Sequence, residues 1–157
     1  MIKRVKERKK HKAPWKCTFA KEEESECRSG AIPKSDKEYF EILSLCVLQA
    51  GLSWGMIRKN WAKFKRGFYG FDIDRLANSN MEELLKNPDT IKNKNKIKAI
   101  IKNAKEFQRI DEELGSFSYF LCSLKGDEDE VIKQLTSRFN HLGKYSAEYF
   151  LHSVGYL

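Results

Sequence analysis

Ser35-Asp36-Lys37-Glu38-Tyr39-Phe40-Glu41-Ile42-Leu43-Ser44-Leu45-Cys46-Val47-Leu48-Gln49-Ala50-Gly51 is the stretch from which the fold is read. Its first four residues make a capping box, in which the Ser35 hydroxyl takes the Glu38 amide while the Glu38 carboxylate reaches back to the Ser35 amide. A helix is therefore expected to begin at Asp36. The apolar residues that follow cover most of its circumference, the mark of a central helix buried on nearly all sides. Gly51 stands where a left-handed residue closes a helix.

Outward from this helix the pattern stays helical. Ser53 is placed to cap a second helix through Phe64, with Met56, Ile57, Trp61 and Phe64 on one stripe. Asp72 caps a short turn, and Ser79 or Asn80 opens another helix that stops before Pro88. Ile91, Ile97, Ile100, Ile101, Ala104 and Phe107 form one face of a long helix reaching about Leu114, with Gly115 as its stop. Asp129 to Phe139 and Tyr145 to Val154 supply two more. No segment alternates over strand length, so the fold class is all-α.

The chain has 157 residues with 30 Lys+Arg against 22 Asp+Glu, a net charge of +8. That size supports one core without staples. Four cysteines, Cys17, Cys27, Cys46 and Cys122, occur without a C-x-x-C pair, and the charged N-terminus has no apolar run behind it. A reducing, cytoplasmic setting is expected, with no membrane span. Residues 1–16 hold eight basic residues and one acid, a basic arm that either attracts polyanions or serves as a solubilising tail. Residues 17–34 are an irregular lead-in and 35–157 the helical domain. Arg58 to Arg66 and Lys92 to Lys105 add two basic segments, read either as a positive face for nucleic acid or as solvated helix surface.

Phe139-Asn140-His141-Leu142-Gly143-Lys144-Tyr145-Ser146-Ala147 lies between the last two helices. It resembles the helix-hairpin-helix of DNA glycosylases, whose usual form is Leu-Pro-Gly-Val-Gly-x-Lys-Thr-Ala. Such a hairpin aims backbone N–H groups and a helix N-terminus at one phosphate. The resemblance makes Gly143, Lys144, Tyr145 and Ser146 the phosphate-binding candidates. His141 takes the place of the first glycine. Tyr145 stands where lyase-type members carry a nucleophilic Lys, so no Schiff base is expected.

Tyr39 to Trp54 resembles the signature of the DNA-3-methyladenine glycosylase I (Tag) family, and its run Gln49-Ala50-Gly51-Leu52-Ser53-Trp54 is identical to the family pattern. Ile91-Lys92-Asn93-Lys94-Asn95-Lys96-Ile97 and Asn103-Ala104-Lys105 are similar to two further family motifs, in the same order. The resemblance implies a helix-hairpin-helix glycosylase domain that hydrolyses the N-glycosidic bond of alkylated purines in double-stranded DNA. Such an enzyme turns its target nucleotide out of the duplex into a pocket. By the same resemblance Gly51 and Leu52 form the wedge, Leu52 entering the gap. Trp54 stacks on the extruded cationic base, and Gln49 and Cys46 line the pocket.

Two departures from the family pattern shape the remaining expectations. Cys46 occupies the place of the family's base-reading glutamate, and a thiol in an apolar helix neither ionises usefully nor accepts strong hydrogen bonds. The family's zinc ligands are not matched by Trp15-Lys16-Cys17. No metal or cofactor is expected, no catalytic residue is assigned, and the protein is read as a monomer. A non-catalytic module that binds damaged or distorted DNA is the alternative reading.

Overall fold

A computed structural model describes residues 32–156; the basic arm, His11, Cys17, Cys27 and most of the lead-in lie outside the described residues. The described residues form helices α1 (Asp36–Gln49), α2 (Trp54–Lys59), α3 (Trp61–Gly67), α4 (Ile73–Ala77), α5 (Met81–Lys86), α6 (Lys94–Leu114), α7 (Phe117–Ser123), α8 (Glu128–Arg138) and α9 (Lys144–Ser153). A single 3₁₀ turn, Tyr69–Phe71, joins α3 to α4. No strand occurs among the described residues, so the all-α expectation holds.

Helix α1 starts where its capping box placed it, with Ser35 Oγ accepting the Glu38 amide at 3.3 Å. The return half of the box is shifted by one residue: Glu38 Oε2 accepts the amide of Lys34 at 2.7 Å, not that of Ser35. Every residue from Tyr39 to Gln49 is buried. The helix packs against α2, α6, α7, α9 and the 3₁₀ turn, which leaves it little contact with water beyond its first turn. A dense aromatic group closes one end of the core. Phe117 meets Tyr39 at 5.0 Å, Phe107 at 4.3 Å and Phe150 at 6.0 Å between ring centroids. Each such ring removes a large apolar surface from water and adds pair energy of about 0.5–1.5 kcal/mol beyond the area term.

Helix α6 begins at Lys94 with Asn93 as its cap, so Ile91 precedes the helix whose face it was expected to share, and two further elements differ from the sequence expectation. The helix expected from Ser53 through Phe64 breaks at Asn60, whose backbone leaves the helical region while its Nδ2 donates to the Met56 carbonyl at 2.9 Å. The break lets Trp61 turn inward and donate Nε1–H to Glu41 Oε2 at 2.8 Å. Helix α7 was not expected at all. Its local signals are modest: Ser116 Oγ accepts the Tyr119 amide at 3.0 Å, and Phe117, Phe120 and Leu121 have helical spacing. Directly after the stop at Gly115, seven residues are too few for the periodicity to stand out.

Candidate functional site

The turn that follows α1 is built by the end of that helix. Ala50 leaves helical geometry, Gly51 takes φ +80°, and the Leu52 amide donates to the Gln49 carbonyl at 2.6 Å. Helix α1 carries no basic residue in its own last turn. Lys96 supplies one from α6: its Nζ donates to the carbonyls of Leu48 at 2.7 Å and Ala50 at 2.6 Å. These are orphan acceptors at a helix C-terminus, where positive charge is favoured. Burial holds the Lys96 ammonium below its ordinary range of 10.5. Gln49 adds a second brace, its Nε2 donating to the Leu52 carbonyl at 2.7 Å.

The hairpin between α8 and α9 is held by the same helix. Asn103, fully buried on α6, accepts the Asn140 amide at 2.7 Å through Oδ1 and donates Nδ2–H to the Asn140 carbonyl at 3.1 Å. Seven residues separate Lys96 from Asn103, two helical turns and about 10 Å along one face of α6. One rigid rod thus sets the distance between the turn after α1 and the hairpin. His141 follows with φ +56°, which explains why the related hairpins carry glycine at this place. Gly143 is different: its φ is −81°, and a Cβ there would meet nothing within 4 Å. It caps α9 without any side-chain bond, leaving the first N–H groups of the helix open to an anion.

A cleft of about 560 Å³ separates the two structures. It is lined by Gln49, Ala50 and Gly51 from the end of α1 and the turn after it, and by Phe139, His141, Gly143, Tyr145 and Ser146 from the hairpin and the start of α9. The structure therefore brings Gln49 and Gly51 together with three of the four hairpin candidates. Lys144 is exposed beside them at the first position of α9. Leu52 is half-buried and packs on the core. Trp54 and Cys46 are deeper and do not line the cleft. Trp54, 2% exposed, stacks on Tyr149 at 4.9 Å, and Tyr149 in turn meets Tyr145 at 4.6 Å. Cys46 is fully buried, and burial pushes its thiol far above the ordinary range, so the sulfur stays protonated. Gln49 Oε1 is a buried acceptor with no hydrogen-bond partner among the described residues.

The charges sort themselves differently from the sequence count. Lys94, Lys98, Lys102 and Lys105 are exposed along α6, but Lys96 is buried and braces the end of α1 instead of joining a positive face. Lys65 lies 3.3 Å from Glu41, whose carboxylate is thereby engaged on α3. Lys96 and Asn103, one lysine of a basic run and one residue of a similar motif in the sequence, brace the turn after α1 and the hairpin. One grouping of metal-ligating side chains occurs among the described residues. Glu128, Glu148 and His152 keep their ligand atoms within 4.8 Å of one another. It joins the first residue of α8 to the last turn of α9, the end of the pair away from the hairpin. No helix among the described residues is long and apolar enough to cross a membrane.

The chain is similar to known proteins along most of this framework. A model of the methyladenine glycosylase family matches residues 28–148. DNA-3-methyladenine glycosylase 1 of Escherichia coli (strain K12) is 29% identical over 109 residues, 67% of this chain and 58% of that protein. The DNA-3-methyladenine glycosylase of Haemophilus influenzae is 30% identical over 95 residues, 58% of this chain and 51% of that protein. The chain thus spans between about half and three fifths of the length of these curated relatives. A Staphylococcus aureus structure described as the basis of 3-methyladenine recognition by 3-methyladenine DNA glycosylase I superposes with a TM-score of 0.73. It is 26% identical, with 82% of this chain and 81% of that one covered.

Proposed function

This chain belongs to the methyladenine glycosylase family, and from that premise we propose that it removes alkylated purines from double-stranded DNA by hydrolysing the N-glycosidic bond. The observation that carries the reading is the cleft itself, which sets the wedge turn at Gln49 to Gly51 across from the hairpin at His141 to Ser146. In this reading the open N–H groups at Gly143 to Ser146 take a phosphate, with Lys144 beside them. Gly51 and Leu52 enter the stack where the nucleotide leaves it. Gln49 offers a desolvated acceptor at the pocket wall, with Trp54 and Cys46 behind it. An alkylated purine is already a cationic leaving group, so positioning and a held water suffice without a charged catalytic residue. The protein works as a monomer in the cytoplasm.

Release of free 3-methyladenine from methylated duplex DNA is the direct test. The expected result is release well above background, reduced by Trp54→Ala, which opens the wall behind the pocket. One observation favours a second reading: the residue at the family's base-reading position is a buried, protonated thiol. If no alkylated purine is released while damaged duplex is still bound in preference to intact duplex, the chain is a lesion-binding module.

A further inference from the structure

An extruded purine needs a flat apolar face on which to settle. The face expected to receive it is not available at the surface, because Trp54 is 2% exposed and stacked on Tyr149 with 25° between the ring planes. Phe139, the other large carbocyclic ring at the cleft, is 4% exposed, and His141 offers only a small imidazole there. Tyr145 is 55% exposed and lines the same cleft as Gln49 and Gly51. Its ring does not stand alone: the Tyr149 centroid lies 4.6 Å away, and Trp54 continues the series at 4.9 Å from Tyr149. Three rings thus run from the open cleft into the core, the outer pair tilted at 51° and the inner pair stacked at 25°.

We infer that the side chain of Tyr145, rather than Trp54, supplies the ring that an extruded alkylated purine contacts, with Tyr149 and Trp54 as its backing. The chemistry suits the ligand class. A methylated purine ring is cationic, and an electron-rich phenol face attracts it more strongly than a neutral base. The backbone N–H of Tyr145 still points out of the first turn of α9 toward the phosphate, so one residue touches the sugar-phosphate chain through its backbone and the base through its ring.

This inference rests on the glycosylase reading, and one set of measurements on the full chain separates the two. Base release from methylated duplex DNA is compared for the wild type, Tyr145→Ala and Tyr145→Phe, alongside binding to undamaged duplex. Loss of a stacking ring is expected to lower kcat/KM about tenfold in Tyr145→Ala, with most of that loss recovered in Tyr145→Phe. Binding to undamaged duplex is expected to change less than about twofold, since the backbone contact is kept. Wild-type-like release by Tyr145→Ala overturns the assignment. So does a parallel loss of undamaged-duplex binding, which would place the side chain on the phosphate. If the wild type releases no base, the glycosylase reading fails on its own. The Tyr145 assignment is then decided by NMR titration with free 3-methyladenine: an upfield shift of the Tyr145 ring protons supports it, and no shift overturns it.

Discussion

Asn103 and Asn140 exchange two hydrogen bonds, the Asn140 amide donating to Asn103 Oδ1 at 2.7 Å and Asn103 Nδ2 donating back to the Asn140 carbonyl at 3.1 Å. The buried amide stands in for a peptide group and holds the hairpin at a set height over α6. Asn103→Leu removes donor and acceptor together and leaves two backbone groups without partners, at a cost of about 2–4 kcal/mol. Asn103→Asp keeps only the acceptor and introduces a buried charge. Denaturant unfolding should rank wild type above both, and base release should fall further than the folded fraction does, because the hairpin loses its height.

Lys96 makes the matching contact at the turn after α1. Lys96→Met strips the Leu48 and Ala50 carbonyls of their donor and should lower stability by about 2–3 kcal/mol. The pH dependence has a definite sign. Burial sets the folded pKa below the ordinary value of 10.5, so between those two values the unfolded chain binds the extra proton. Stability contributed by this group therefore rises with pH across that window. A neutral amine still has two N–H donors for two carbonyls. Unfolding at pH 7 and pH 10 should show the gap between wild type and Lys96→Met widening; a gap that closes at high pH contradicts the brace.

His141 pays for its left-handed backbone, since φ +56° is disfavoured for any residue with a Cβ. Its side chain is exposed, so His141→Gly removes strain without opening the core. A gain of up to about 1 kcal/mol in unfolding free energy is expected, reduced somewhat by the larger freedom of glycine in the unfolded chain. DNA binding should be retained.

Gly143 makes the opposite prediction. Its φ of −81° suits any residue and a Cβ would meet nothing. Gly143→Ala should therefore melt within a degree or two of the wild type. The added methyl would stand where a phosphate approaches the open end of α9, so duplex affinity should fall about tenfold through loss of charge-assisted bonds. Equal affinity for the two proteins in a low-salt anisotropy titration would remove the phosphate from this end of the hairpin.

Much of the framework was legible from local pattern. Ser35, Ser53, Asp72 and Asn80 cap the helices they were expected to cap, and Gly51 and Gly115 stop theirs. The burial of α1 followed from apolar residues around its whole circumference. Caps, stops and amphipathic faces act between residues within one turn of each other, so a linear reading captures them. That the turn after α1 and the hairpin line one cleft follows from no local rule.

The depth of each side chain was another matter. Lys96 looked like one more lysine of a basic run, yet it reaches a helix end 46 and 48 residues earlier in the chain. Asn103 finds Asn140 across 37 residues. Trp54 sits beneath Tyr149, a relationship no spacing reveals. Apart from α7 and the break at Asn60, sequence by itself determined which segments are helical, about where they begin and end, and that α1 is enclosed, because those outcomes depend on neighbours along the chain. Only the tertiary structure decided which ring faces the cleft and which lysine is buried, because those depend on how close-packed helices distribute the remaining space.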